Sequence, residues 1–252
     1  MSEACQENKL LILIPAYNEE ENIGAFLDSV KHTQIAGKTD ILVVDDASGD
    51  QTAEIAGDHG VKVISQIYHM GYGAALQLGY KYAVSHDYDF VIQLDADGQH
   101  DVCNLPIIYE CLTGSRKDCD IVIGSRFLEG SRSYQVGAIR LMSIRLFRQV
   151  IRKIGHVKIT DPTSGLQGLN RRAFSCYAAY GNFDIHYPDT NMIMQMLLRG
   201  YQIGECSACM HPRAAGSSMH AGIWKPISYM VLMTLSTLAA VLRDKKRKQD
   251  RL

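Results

Sequence analysis

A chain of 252 residues, 46% of them hydrophobic and 21% charged, is long enough for one large domain or two small ones and has a globular composition. Its formal net charge of −1 gives no global attraction to nucleic acid, and no nucleic-acid partner is expected. The seven cysteines are odd in number and scattered, and Cys206 and Cys209 form one Cys-x-x-Cys without the second pair a zinc site needs, so the thiols are expected to be small core residues.

Met1–Lys9 is polar and has no apolar signal core, which predicts cytosolic synthesis. Leu10–Ile14 reads as a buried strand that Pro15 ends. Ala16-Tyr17-Asn18-Glu19 follows, with Asn18 as N-cap and Glu21 completing a capping box. Ile23, Phe26, Leu27 and Val30 then recur at helical spacing. Ile41–Val44 is a second strand, which Asp45-Asp46-Ala47-Ser48-Gly49-Asp50 leaves, and Val61–Ile64 is a third. A carboxylate at a strand's carboxyl end can accept from a ribose or a base N–H; Asp50 and Ser48 serve equally well as caps of the next helix. His69–Ala75 opens a helix reaching about Ser85. Its glycines match neither a P-loop nor a dinucleotide fingerprint, and close helix–sheet packing explains them.

The most informative stretch is Phe90-Val91-Ile92-Gln93-Leu94-Asp95-Ala96-Asp97-Gly98-Gln99-His100-Asp101. A continuous apolar run reads as a buried strand, and an Asp-x-Asp leaving it puts hard oxygen ligands at the rim of a sheet, where open α/β sheets bind ligands. Such oxygens suit Mg²⁺ or Mn²⁺ and, through the ion, a nucleotide diphosphate. Leu105–Leu112 is a helix and Asp120–Ile123 a strand. Arg126 follows, able to pair bidentately with a phosphate or to form an ion pair.

Val136–Ile154 is basic and amphipathic, Asp161–Gly168 is turn-rich, and Tyr187-Pro188-Asp189 starts a helix with Met192, Met196 and Leu197 on one side. Tyr201–Ala208 is a strand, and Arg213–His220 a polar loop carrying cations. Ile227–Leu242 is apolar and uncharged, yet at ~1.5 Å per residue spans about 24 Å, short of a ~30 Å hydrocarbon core. Six basic and two acidic residues lie between Arg243 and Leu252, so the segment fits an interfacial helix on anionic lipid, or packing against the domain or a second subunit. The alternation of strand and helix over Leu10–Phe127 argues an α/β fold with a mostly parallel sheet covered on both faces.

Pro15–Glu19, Val43–Asp50, Asp95–His100, Gly124–Phe127, Asp161–Gly165 and Arg213–Ser218, in this order, resemble the family 2 glycosyltransferases of GT-A fold, and the branch that glycosylates polyprenyl phosphates, as dolichyl-phosphate mannose synthase does. The resemblance implies a GT-A domain over 1–222, with a nucleotide-binding half at about 10–127 and an acceptor half at about 128–222, followed by an interfacial helix and basic tail over 223–252. It implies that Pro15, Ala16, Tyr17, Glu19 and Asp46 cradle the base and ribose of a UDP- or GDP-hexose. Asp95, Asp97 and Gln99 would hold Mg²⁺ or Mn²⁺ and the diphosphate; Arg126, Arg140, Arg213 and Ser218 would meet the donor or acceptor phosphate. The reaction would invert the anomeric centre at the cytoplasmic face of the membrane. A lipid-phosphate acceptor needs no general base, whereas a saccharide hydroxyl would need Asp189 or Asp161. His69 stands where the family usually has Asn, and Gln167 where Arg often follows the Ser-Gly element. The membrane-spanning helices of many relatives are missing, which leaves room for a small membrane-protein partner; a homo-oligomer also stays open. A nucleotidyltransferase would need a Gly-rich loop after the first strand, where Pro15–Glu19 stands, and a non-catalytic binding module would not need the complete acidic loop.

Overall fold

A computed structural model describes residues 8–33, 35, 39–114, 119–134, 136–212 and 224–249. Its centre is a seven-stranded sheet. In chain order the strands are β1 (Leu10–Ala16), β2 (Thr39–Asp45), β3 (Lys62–Ser65), β4 (Phe90–Gln93), β5 (Ile121–Ser125), β6 (Gln167–Asn170) and β7 (Ile203–Ser207), arranged β3-β2-β1-β4-β6-β5-β7. Only β6 runs antiparallel to its neighbours β4 and β5. The helices are α1 (Ile23–Lys31), α2 (Thr52–Asp58), α3 (Tyr72–Ser85), α4 (Asn104–Thr113), α5 (Ala138–Val150), α6 (Arg171–Ala178), α7 (Thr190–Leu198) and α8 (Trp224–Gln249). A wider π-type turn, Ile151–Gly155, extends α5.

Alternation along β1 builds the two sides of the sheet. Leu11 and Leu13 join one core with Leu76 and Tyr80 of α3, Phe174 of α6 and Ile193 of α7. Leu10, Ile12 and Ile14 join the other with Phe26 and Leu27 of α1 and Leu105 and Ile108 of α4. Both faces are buried, which is why the strands read as unbroken apolar runs. β1 runs through Pro15 rather than ending there. Its pairing with β4 stops at Leu13 and Gln93, so the ring's missing N–H costs no ladder bond beyond that point.

Three expectations need correction, and one alternative left open, the packing of the C-terminal segment, is answered. α1 starts at Ile23 with no side-chain cap, because Asn18 is in the left-handed region (φ 52°) and its Oδ1 accepts from the Gly49 N–H at 2.8 Å, so there is no Asn18–Glu21 capping box. The segment after Asp161 is not all loop: Gln167–Asn170 becomes β6, and Arg171 opens α6 with Asn170 as N-cap, its side chain accepting from the Ala173 N–H. The apolar C-terminal segment belongs to a 26-residue helix that packs against α7. Met233, Thr237 and Ala240 are buried, and the Asn191 Nδ2 donates to Ser236 Oγ at 2.8 Å. Leu232, Leu235, Leu238 and Leu242 stay exposed on another face, so one face of the helix serves the domain and another is open. Among the described residues no helix is long and apolar enough to cross a membrane. Lastly, the cysteines are not uniformly core: Cys206 is buried, whereas Cys103 is exposed.

The topology fixes where a site can form. β1, β2, β3, β4, β5 and β7 all point their carboxyl ends at one rim, and β6, running the other way, starts there at Gln167. The turn-rich segment before β6 is thereby delivered to the same edge as the acidic loop after β4.

Candidate active site

The two loops after β1 and β2 are laced together. Asn18 N–H donates to Ser48 Oγ (2.9 Å), Glu19 N–H to Thr52 Oγ1 (2.8 Å) and Glu20 N–H to Asp50 Oδ2 (3.1 Å). Asp50 also accepts from the Thr52 amide and hydroxyl. These bonds bring its pKa below the ordinary value even though burial alone would raise it. Pro15 and Ala16 are buried at the end of β1; Glu19 is buried and accepts from Asn22 Nδ2, and Tyr17 is exposed. The Tyr17 ring stacks on His69 at a centroid distance of 4.0 Å, a flat wall at the rim that the sequence did not foretell, since the two residues are 52 positions apart.

Asp46 is 2% exposed and holds the segment between β3 and α3 in place. Its carboxylate accepts from Gln66 Nε2 (2.8 Å), Met70 N–H (2.7 Å) and Gly71 N–H (2.7 Å), and lies 2.9 Å from His69 Nδ1. The glycines that follow serve a turn and a close approach of the segment between α6 and α7, not the helix–sheet packing expected of them. Gly71 has φ 94°, and a Cβ on Gly73 would meet the Ile185 carbonyl oxygen at 2.6 Å.

The acidic loop follows β4. Asp95 Oδ1 accepts from the Tyr72 hydroxyl at 2.9 Å, while its backbone N–H donates to His100 Nδ1 at 3.1 Å. An accepting Nδ1 leaves the ring proton on Nε2, which lies 3.8 Å from Asp95 Oδ2. The buried His100 thus curls the loop back on itself. Gly98, at φ 74°, allows the Gln99 N–H to turn onto Asp97 Oδ1 at 3.0 Å. Gln93, which hydrogen-bonds to the Tyr80 hydroxyl, donates through Nε2 to the Gly165 carbonyl at 2.8 Å, bringing the segment before β6 against the acidic loop. A Cβ on Gly165 would stand 3.0 Å from Asp95 Oδ2 and 3.2 Å from the Tyr72 hydroxyl, so glycine there keeps the carboxylate accessible. Burial, then Asp95, then Tyr80 and Asp189 push the Tyr72 phenol well above its usual pKa, so it stays a donor to Asp95. The oxygen atoms of Asp95, Asp97 and Gln99 on one short loop, with no thiol or free imidazole nitrogen among them, are the donor chemistry of Mg²⁺ or Mn²⁺.

Arg126 and Asp161 stand differently from expectation. Arg126 is buried at the end of β5 with its Nε 2.6 Å from Asp161 Oδ2 and its Nη2 2.7 Å from Asp161 Oδ1 and 3.0 Å from Thr163 Oγ1. Asp161 has no exposed surface, and its Oδ2 also accepts the Arg126 backbone N–H. The pair raises the guanidinium's pKa in spite of the desolvation that works to lower it. Asp161 is therefore no base for a saccharide hydroxyl. Arg126 thus makes the ion pair that the sequence left open, buried rather than at the surface, and with it holds the 161–165 segment. Gln167 likewise turns inward, donating to the Ser164 carbonyl. Asp189 is the N-cap of α7 and makes no side-chain cap bond; its charge reaches the Tyr72–Asp95 pair. Arg140 is exposed in the first turn of α5, and Arg213 and Ser218 lie outside the described residues. Sequence reading gave no role to Tyr72, His100 and Gly165; His100 and Gly165 end two of its motifs, but their approach to Asp95 exists only in the fold.

A parallel sheet covered by helices, with an Asp-x-Asp loop on its carboxyl rim, defines a GT-A fold. The glucosyl-3-phosphoglycerate synthase of Mycobacterium tuberculosis, solved with Mn²⁺ and UDP, superposes with a TM-score of 0.66 at 18% identity, over 94% of this chain and 80% of that one. The glycosyl transferase family 2 model matches residues 11–178, so the chain belongs to that family. An uncharacterized protein of Methanocaldococcus jannaschii is 33% identical over 69% of this chain and 67% of its own length. An undecaprenyl-phosphate mannosyltransferase of Micrococcus luteus is 31% identical over 62% of this chain and 64% of that one. For a dolichol-phosphate mannosyltransferase of Pyrococcus furiosus the figures are 28%, 76% and 53%. The chain thus spans between about half and two thirds of the length of these relatives.

Proposed function

We propose that this protein transfers a hexose, with inversion, from a UDP- or GDP-sugar to a polyprenyl phosphate at the cytoplasmic face of a membrane. The observation that carries the reading is the acidic loop Asp95–Gln99 at the rim where six strands end, with its Asp95 held by Tyr72 and His100 and Gly165 alongside. Two relatives whose names specify mannosyl transfer to a polyprenyl or dolichyl phosphate support the acceptor class. The exposed leucine ridge of α8 supports contact with a lipid surface.

Asp95, Asp97 and Gln99 would hold Mg²⁺ or Mn²⁺, which when bound supplies Lewis-acid neutralisation of the departing diphosphate. The protein's own part is positional. Tyr17 and His69 offer a face on which a base can stack, and Glu19 and Asp46 fix the loops around it. Tyr72 and His100 hold the Asp95 carboxylate in one orientation. The Arg126–Asp161 pair sets the segment that brings Gly165 alongside. A lipid phosphate is already an anion at neutral pH, so positioning and electrostatics carry the rate without a proton acceptor.

Asp189, whose charge reaches the Tyr72–Asp95 pair, favours one rival, transfer to a saccharide hydroxyl with Asp189 as base. The test offers radiolabelled UDP- and GDP-sugars and short-chain polyprenyl phosphate to the protein in detergent with Mn²⁺, beside Asp97→Ala and Asp189→Asn variants. Label should enter the lipid fraction, be lost with Asp97→Ala and persist with Asp189→Asn. Donor hydrolysis without lipid product, or loss of transfer in Asp189→Asn with donor binding intact, would favour the hydroxyl acceptor. No reaction with any donor would overturn the proposal.

A further inference from the structure

Just beyond the acidic loop, an antiparallel bridge joins His100 to Met210. It sets two short sequences side by side, Asp101-Val102-Cys103 and Cys209-Met210-His211, from segments more than a hundred positions apart. Cys209 and His211 are two residues apart on extended backbone and so share a face. Asp101 Oδ1 accepts from the Cys103 N–H at 2.8 Å, which ties Cys103 to the same turn. One ligand atom each from Asp101, Cys209 and His211 lies within 4.8 Å of the others, and Asp101 Oδ2 stands 2.7 Å from His211 Nε2. The Cys103 thiol stands beside the group, near enough to Asp101 and Cys209 for both to act on it in addition to its burial.

We propose that Asp101, Cys103, Cys209 and His211 bind one Zn²⁺, at a site separate from the oxygen atoms of Asp95, Asp97 and Gln99. Two thiols and an imidazole select zinc over Mg²⁺ or Mn²⁺, and four ligands match its tetrahedral preference. With bonds of roughly 2.0–2.3 Å, the edges of such a tetrahedron are about 3.3–3.8 Å, so the separations among Asp101, Cys209 and His211 need to change by only about an ångström. The scaffold behind the ligands is already rigid. Asn104, 1% exposed, donates through Nδ2 to the Cys209 carbonyl and accepts from the Cys209 N–H through Oδ1, both at 2.8 Å. The Asp101 N–H reaches the Cys209 carbonyl at 3.2 Å. Outer-shell bonds of this kind orient ligands before metal arrives.

The position gives the site a role. The His211 N–H donates to the Gln99 carbonyl at 2.8 Å, so a zinc ion here would tie the end of the acidic loop to the chain that runs on to Arg213 and Ser218. The sequence argued against zinc, because Cys206 and Cys209 form a Cys-x-x-Cys without a second pair. Cys206 is buried in the core, and Cys209 pairs with residues that only the sheet brings to it.

The test is cobalt substitution in the full chain, kept reduced and stripped of metal by a chelator. Titration with Co²⁺ should raise a thiolate-to-cobalt charge-transfer band and the intense d–d bands of tetrahedral coordination that saturate at one ion per chain, bleached by one equivalent of Zn²⁺ and not by excess Mg²⁺. Cys103→Ser and Cys209→Ser should each diminish the charge-transfer band and weaken Zn²⁺ binding by at least tenfold, while Asp97→Ala leaves the spectrum unchanged. Far-UV circular dichroism checks that the variants fold, and the wild-type spectrum decides without them. Absence of the thiolate band in reduced wild-type protein overturns the proposal, whether or not a Cys103–Cys209 disulfide forms in air. So does a band that survives in the double serine variant.

Discussion

Replacing Asp161 with Asn separates two roles for Arg126. If the guanidinium served mainly as a phosphate ligand, the substitution would alter activity and leave stability nearly untouched. The structure argues the reverse. The side chains of Arg126 and Asp161 are 3% and 0% exposed, and they are joined by two bonds of 2.6 and 2.7 Å, with Thr163 and the Arg126 backbone amide filling further positions. Removing one partner of a buried pair leaves the other charge uncompensated, at a cost of about 3–5 kcal/mol. With a urea dependence of roughly 3 kcal/mol per molar, the unfolding midpoint should fall by about 1 M or more. Arg126→Met should cost a similar amount. The double variant should lose much less than the sum of the two, because replacing both members removes the stranded charge. Urea unfolding followed by circular dichroism on the four proteins measures the cycle. A midpoint unchanged in Asp161→Asn, or additive losses in the double variant, would refute the reasoning and return Arg126 to the phosphate.

Three further outcomes follow from the same geometry. Tyr72→Phe removes the donor that orients Asp95, and Mn²⁺ binding measured by calorimetry should weaken by about 10- to 100-fold with the fold intact. Gly73→Ala places a methyl group 2.6 Å from the Ile185 carbonyl oxygen; the resulting overpacking should cost about 1–3 kcal/mol, seen as a lowered melting temperature. Asp50, its pKa depressed by Thr52 and Glu20, contributes stability that is present above the unfolded-state value near 4 and is lost as pH falls through the lower folded-state value. Asp50→Asn should therefore flatten the acid side of the stability–pH profile below about pH 4, and an unchanged profile would show that those bonds carry no linkage.

Much of the catalytic rim was legible because its signals are local. β1, β2, β4 and β5 are apolar runs in sequence, and Asp95–Gln99 is contiguous, so its position at a strand end follows from reading along the chain. β6 hid for a local reason as well. Gln167-Gly168-Leu169-Asn170 has one large apolar residue, and its Gly168 is there because Ile108 of α4 packs where a Cβ would be, at 2.3 Å. Nothing within four such residues announces that they will be buried between two strands. The C-terminal helix was half legible: its apolar content was plain, but that Met233, Thr237 and Ala240 rather than the leucines would be buried depended on the partner helix.

The sequence by itself determined the α/β class, the acidic loop and the ordered motifs of family 2, since each is written in neighbouring residues under a backbone period of two or 3.6. Tertiary structure alone decided the partners. It turned Arg126 inward to Asp161, gave Asp95 its Tyr72 and His100, set His69 on Tyr17, and gathered Asp101, Cys103, Cys209 and His211. The reason is physical. Local periodicity fixes which way a side chain leaves its own element, but the antiparallel insertion of β6 and the ordering of β5 and β7 beyond it determine which distant chains meet at the rim. A buried charge or thiol takes its chemistry from those neighbours.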